Sequence, residues 1–215
     1  MRRGAVRPIV AVRMRWGKRS INTYALLDNC ATDTYVLTEK ARMIRAKLDY
    51  GPSKVTTVGS QSYDPEAAFA SFYIEALDGS LAIKVEKALM GELITSKDEL
   101  PPTNDDIKGY DYMKDVIFDT CEDKTIGLII SAKHAWTWLQ SDLRFGNTDQ
   151  PIAMRSLWGW SLIGPTAKRQ SEDQQPPNSF ALLNIERTSI RDEVNSLKAQ
   201  DFEEKLDLDE KFNLS

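Results

Sequence analysis

Few residues of this chain have the type and setting to do covalent chemistry. The first is Asp28, in Tyr24-Ala25-Leu26-Leu27-Asp28-Asn29-Cys30-Ala31-Thr32, where an apolar run ends on a carboxylate followed by small polar residues. A strand built this way delivers its terminal acid into a cleft, where a carboxylate acts as a general acid or base. Taken alone, the segment is also the ordinary pattern of an Asp opening a turn after a strand. Cys30 is a second candidate, as a nucleophile, but the neighbouring Asp28 raises rather than lowers a thiol pKa and no matched base is in view. Asp119 is a third, because Phe118-Asp119-Thr120-Cys121 repeats Leu27-Asp28-Asn29-Cys30 in outline. A pseudo-dimer with both acids in one chain would show such an echo, but Glu122-Asp123-Lys124 reads as an exposed turn and residues 125–131 are better used as a strand closing the first lobe, so the turn is the reading taken. His134 is the single histidine and reads as a surface or capping residue.

Two cysteines and one histidine are too few and too scattered for a disulfide framework or a zinc site, so both thiols are expected reduced and no metal is expected. The 215 residues, 41% hydrophobic and 28% charged, suit one soluble globular domain with extensions. A net charge of -4 supplies no overall drive toward nucleic acid or membrane. No apolar stretch approaches the ~20 residues that span a bilayer, and the first eight residues lack the apolar core of a signal peptide. An intracellular, cytoplasmic location is the resulting expectation.

The elements that position Asp28 are mostly strands. Residues 9–16 alternate, with Arg13 and Arg15 on one face and Met14 and Trp16 on the other, and a turn over 17–22 leads into a strand over 23–27. Arg2, Arg3, Arg7, Arg13, Arg15, Lys18 and Arg19 precede any acid. Without interleaved aromatics they read as a solvated face rather than a nucleic-acid platform. After Tyr35-Val36-Leu37, residues 38–48 predict a helix with Thr38 as N-cap and Gly51-Pro52-Ser53 as its stop. Three β segments follow over 54–58, 68–77 and 81–85, the last two joined by an Asp78-Gly79-Ser80 turn. Gly59 and Ser60 lie at the tip between the first two.

Residues 93–111 are turn-rich and polar, and predict a surface insertion. Val116-Ile117-Phe118 and 125–130 predict core strands, and 135–139 a short helix continuing from His134. Residues 155–163 predict one strand with Trp158 and Trp160 on the same face, closed by Gly164-Pro165. Residues 166–179 have linker composition. Ser189-Ile190-Arg191-Asp192 then has the form of a capping box opening a helix.

Leu26-Leu27-Asp28-Asn29-Cys30-Ala31-Thr32 resembles the active-site segment of retropepsin-like aspartic peptidases, in particular the Pao/BEL retrotransposon peptidase family. Three more segments fall in that family's order: Thr56-Thr57-Val58-Gly59-Ser60 at the flap, Ile126-Gly127-Leu128-Ile129-Ile130-Ser131 at an apolar-apolar-Gly strand, and Arg155-Ser156-Leu157-Trp158-Gly159-Trp160 running on to Gly164-Pro165. The resemblance covers residues 1–165. It implies a mainly β, retropepsin-like acid-protease barrel with one or two short helices, followed over 166–215 by a linker and helical lead-in toward a reverse transcriptase.

The resemblance also implies function. Asp28 is the catalytic acid, with Asn29, Cys30 and Ala31 as the active-site loop and Gly59 and Ser60 in a substrate-covering flap. The protein is then an aspartic endopeptidase of a retrotransposon polyprotein, acting without a cofactor on a polyprotein or peptide substrate. Two carboxylates held close cannot both ionise; one polarises the scissile carbonyl while the other takes a proton from water. One chain supplies one such motif, so a homodimer is implied, with Asp28 from each protomer. The segment departs from the family at Cys30 and Ser131, where the family has glycine. A Cβ at Cys30 is expected to crowd the turn after the acid, and the alternative is a non-catalytic dimerisation or binding module of the same fold.

Overall fold

A computed structural model describes residues 5–57, 60–92, 100–166 and 184–186. Its strands are β1 (Ala5–Val6), β2 (Ile9–Trp16), β3 (Arg19–Asp28), β4 (Tyr35–Leu37), β5 (Lys47–Thr57), β6 (Ser60–Ala76), β7 (Ala82–Gly91), β8 (Ile126–Ser131), β9 (Asp142–Arg144), β10 (Ile152–Ser156), β11 (Gly159–Pro165) and β12 (Asn184–Glu186). One α-helix, α1 (Thr38–Met43), and three short 3-10 segments complete it. The chain is therefore mainly β, as expected.

The larger sheet runs β12-β5-β6-β2-β3-β8-β4-β7, and a further β6–β7 pairing closes six of its strands into a barrel. Closure explains the sequence of the central strands. In β2, Val10, Val12 and Met14 enter the barrel core, while Ile9 and Ala11 join Tyr24, Leu26 and Ile129 in a second cluster outside it. Both faces being covered there, residues 9–12 of β2 and 24–27 of β3 read as continuous apolar runs. The Arg13/Met14 alternation appears only at the outer end of β2, where the Arg15 guanidinium meets Glu75 at 2.5 Å and lies 4.9 Å from the Tyr73 ring centroid.

The predicted helix over 38–48 is cut to Thr38–Met43, and its N-cap is Leu37, not Thr38. Arg45 takes φ +53, its N–H donates to the Arg42 carbonyl, and the Ala46 N–H donates to the Ala41 carbonyl. This is the paired hydrogen bonding of a Schellman stop, usually signalled by glycine. Here arginine occupies the left-handed position, so the signal was absent. Gly51-Pro52-Ser53 lies inside β5 at a register shift, rather than ending a helix.

The described part of the expected insertion over 93–111 is not merely surface: Ile107 is buried and Tyr110 packs beside it, in a separate core with Met113, Val116, Phe118, Val6, Ala153 and Leu162. Val116-Ile117-Phe118 contributes to it without forming a strand, Ile117 being exposed.

That core lies under the second sheet, ordered β1-β11-β10-β9. Its hairpin corrects the single strand expected over 155–163: β10 and β11 are antiparallel with Ser156 opposite Gly159, and Leu157-Trp158 is the turn. Gly159 has φ +102, and a Cβ there would stand 2.8 Å from Asp119 Oδ2, so both the turn and the close approach call for glycine. Trp158 and Trp160 consequently share no face. Trp158 is buried in the barrel core, whereas Trp160 packs with the core under the second sheet.

Of the expected linker over 166–179, Thr166 is described and buried; the rest of it and the helix from Ser189 lie outside the described residues. Asn184–Glu186, however, is a strand on β5.

Candidate functional site

Asp28 is the last residue of β3, and the buried run Thr23–Leu27 carries it to the barrel's end. Parallel to β3 lies β8, with Asp28 and Ser131 as terminal register partners. The segments expected to carry the acid and the apolar-apolar-Gly pattern are thus brought side by side, although Asp28 and Ser131 stand 103 positions apart in the chain.

The loop after Asp28 is pinned from several sides. The Cys30 N–H donates to Asp28 Oδ1 at 2.9 Å, and the Ala31 N–H to the Asp28 carbonyl at 3.3 Å. Across the loop, the Ala132 N–H donates to the Ala31 carbonyl at 3.0 Å, and Lys133 pairs with buried Asp33. Thr34 Oγ1 lies 3.3 Å from Ser131 Oγ, and both side chains are buried. Asn29 and Cys30 are exposed.

Cys30 does not crowd this turn. Its φ is not positive and its N–H reaches the carboxylate, so the expected steric conflict is not met. Ser131 likewise tolerates its side chain, because Thr34 offers the hydroxyl a partner.

Asp28 opens onto a pocket of about 470 Å³ between the barrel end and the second sheet. Arg7, Pro8, Leu26 and Leu27 line the barrel side, and Trp138, Met154, Ser161 and Ile163 the other. The size and mixed lining are those of a ligand site. Asp28 is the single carboxylate among the described lining residues. Ala31 is buried beneath the loop instead.

The wall opposite Asp28 was missed by sequence reasoning, since it belongs to a hairpin read as one strand. Gly159 following a Ser-Leu-Trp triplet was the one available turn signal. Trp158 holds this wall in place: its Nε1–H donates to Thr137 Oγ1 at 3.0 Å, and the Thr137 hydroxyl donates to the His134 carbonyl at 2.7 Å.

The remaining candidates lie elsewhere. Asp119 abuts Gly159 and is absent from the described pocket lining; burial, then the charge of Asp78, holds its carboxyl above the usual range. Cys121 is buried, and burial pushes its thiol up to about 11. His134 is half-buried, with burial and then Lys133 lowering its pKa.

Gly59 lies outside the described residues. Ser60 begins β6 opposite Thr57, the last residue of β5, in the antiparallel β5–β6 hairpin. No described residue of that hairpin lines the Asp28 pocket. Among the described residues no three His, Cys, Asp or Glu side chains gather to hold a metal, and no helix is long and apolar enough to cross a membrane.

Comparison with protein-family models, with curated proteins and with solved structures gave no match.

Proposed function

We propose that this chain is a retropepsin-like aspartic endopeptidase domain of a retrotransposon polyprotein, working as a homodimer with one Asp28 per protomer. The observation that carries the reading is the placement of Asp28 beside Ser131, at the ends of adjacent parallel strands of a six-stranded barrel and on a pocket with no second described carboxylate. A lone acid cannot both polarise a peptide carbonyl and activate water. A second copy supplies the missing group. With one proton shared between the two carboxyls, the protonated acid hydrogen-bonds the scissile carbonyl and the ionised one accepts a proton from the attacking water. The Cys30 N–H donates to Asp28 Oδ1 and so restrains the carboxylate.

The non-catalytic reading has its own support in Cys30 and Ser131, which stand where the resembled family has glycine. A dimerisation or binding module would keep the barrel and lose the hydrolysis.

Cleavage of an unstructured peptide library from acid to neutral pH separates the two. Wild type is expected to cleave with a bell-shaped, acid-shifted profile, and Asp28→Asn to be inactive, because an amide supplies neither the shared proton nor the base. Sedimentation equilibrium at micromolar concentration is expected to show a concentration-dependent dimer. No cleavage by wild type under any condition overturns the peptidase reading; cleavage by Asp28→Asn overturns the assignment of the acid.

A further inference from the structure

The outer edge of β5 carries a strand from far along the chain. Asn184, Ile185 and Glu186 pair antiparallel with Thr56, Val55 and Lys54, just before the last β5–β6 pair at Thr57 and Ser60. We propose that this edge is a strand-accepting site for extended peptide, occupied in cis by Asn184–Glu186, and that a peptide of the same chemistry displaces the resident strand.

β5 has only β6 and β12 as strand neighbours among the described residues. Its pairing with β6 runs the length of the strand from Lys47 to Thr57, whereas β12 covers three residues of the opposite edge. An unpaired strand edge presents backbone donors and acceptors in a row and templates another strand.

Three residue pairs make few hydrogen bonds to set against the entropy of ordering the segment, so the pairing is weak by itself. It is sustained by covalent connection, since Asn184 belongs to the same chain as β5 and its pairing is intramolecular. A weak strand held by a tether is displaceable.

The register states the chemistry of the competitor. Glu186 is the register partner of Lys54, and Ile185 that of Val55. A competitor taking the same register is an extended peptide with an acidic residue directly after a β-branched one, which suits Lys54 and Val55 as cross-strand partners. None of Lys54, Val55 and Thr56 is among the described lining residues of the Asp28 pocket, and the proposal stands whether or not the chain hydrolyses peptides.

The test uses the full chain with Asn184→Pro and Ile185→Pro. Successive positions of a strand point their N–H groups to opposite sides, so one of these variants removes an N–H aimed at β5. Hydrogen exchange over 54–56 is expected to rise about tenfold or more in at least one variant, with β2, β3 and β8 unchanged. A labelled peptide copying residues 180–190 is expected to bind that variant about tenfold tighter than wild type, and a scrambled peptide to bind neither. Unchanged exchange over 54–56 in both variants overturns the cis pairing. Equal or absent binding of the peptide to variant and wild type overturns the accepting edge.

Discussion

Asp28 and Ser131 end two parallel strands as register partners, and the Ser131 side chain turns to Thr34, three residues past the Asp28 loop. The acid therefore sits between two pieces of chain that fix each other. The Ser131 N–H also points toward Thr34 Oγ1, at 3.5 Å. A serine at this position binds the loop to β8 through its hydroxyl, a contact that glycine cannot make.

Ser131→Gly is accordingly expected to lower stability by about 1–2 kcal/mol, from a lost buried hydrogen bond and added unfolded-state entropy. Urea unfolding of Ser131→Gly, Thr34→Val and the double variant checks this. The singles should not add, because either one breaks the same contact.

Cys30→Gly is expected to cost about 0.5–1 kcal/mol and to leave cleavage within a few-fold of wild type. The N–H that glycine would free already reaches Asp28, and no left-handed φ is imposed on Cys30. A tenfold or larger rise in peptide cleavage would show that the thiol side chain does crowd the reacting groups.

The two thiols should differ sharply toward alkylating reagents. Burial raises Cys121 to about 11, Asp119 and Asp123 add to the rise and Lys124 opposes it, while Cys30 is exposed. Near neutral pH one thiol is expected to react quickly and the second on the order of a hundredfold more slowly, becoming equivalent in denaturant. Mass spectrometry of the modified peptides identifies which is which.

Acid should weaken the fold through Asp123. Buried Lys40 pairs with it, and that ammonium, followed by the Thr125 hydroxyl and N–H, holds the carboxyl down at about 2. A folded pKa below the ordinary 3.8 means stability that is present above 3.8 and lost as pH falls toward 2. Asp123→Asn is expected to be about 1–2 kcal/mol less stable at neutral pH, less than for a fully buried pair because Asp123 is half exposed. The gap from wild type should close by pH 2 in urea titrations run across that range.

Trp158→Ala is expected to cost about 3–5 kcal/mol, the range for emptying a core aromatic site. Thermal unfolding measures it. Trp158→Phe should keep most of the packing but leave Thr137 without its indole donor, at about 1 kcal/mol. In both variants the pocket wall of Met154, Ser156 and Ser161 loses its anchor, so ligand or substrate affinity should fall along with stability.

The strands β2, β3 and β8 were legible because their apolar runs are long, bounded by turn residues and buried on both faces; that pattern has few alternatives. Asp28 at a strand terminus was legible for the same local reasons, as was a short helical segment, expected over 135–139 and found as the 3-10 segment Ala132–Trp138. Three features were not. The stop after Met43 depends on Arg45 entering the left-handed region, which side-chain type does not announce. The β10–β11 hairpin puts two tryptophans on different cores although they are two positions apart, because a turn at Leu157-Trp158 cancels strand periodicity. The junction of Asp28 with Ser131 needed β8 to return beside β3 across the barrel. Such a parallel pairing is set by closure of the whole sheet, and no short window of sequence contains both of its members.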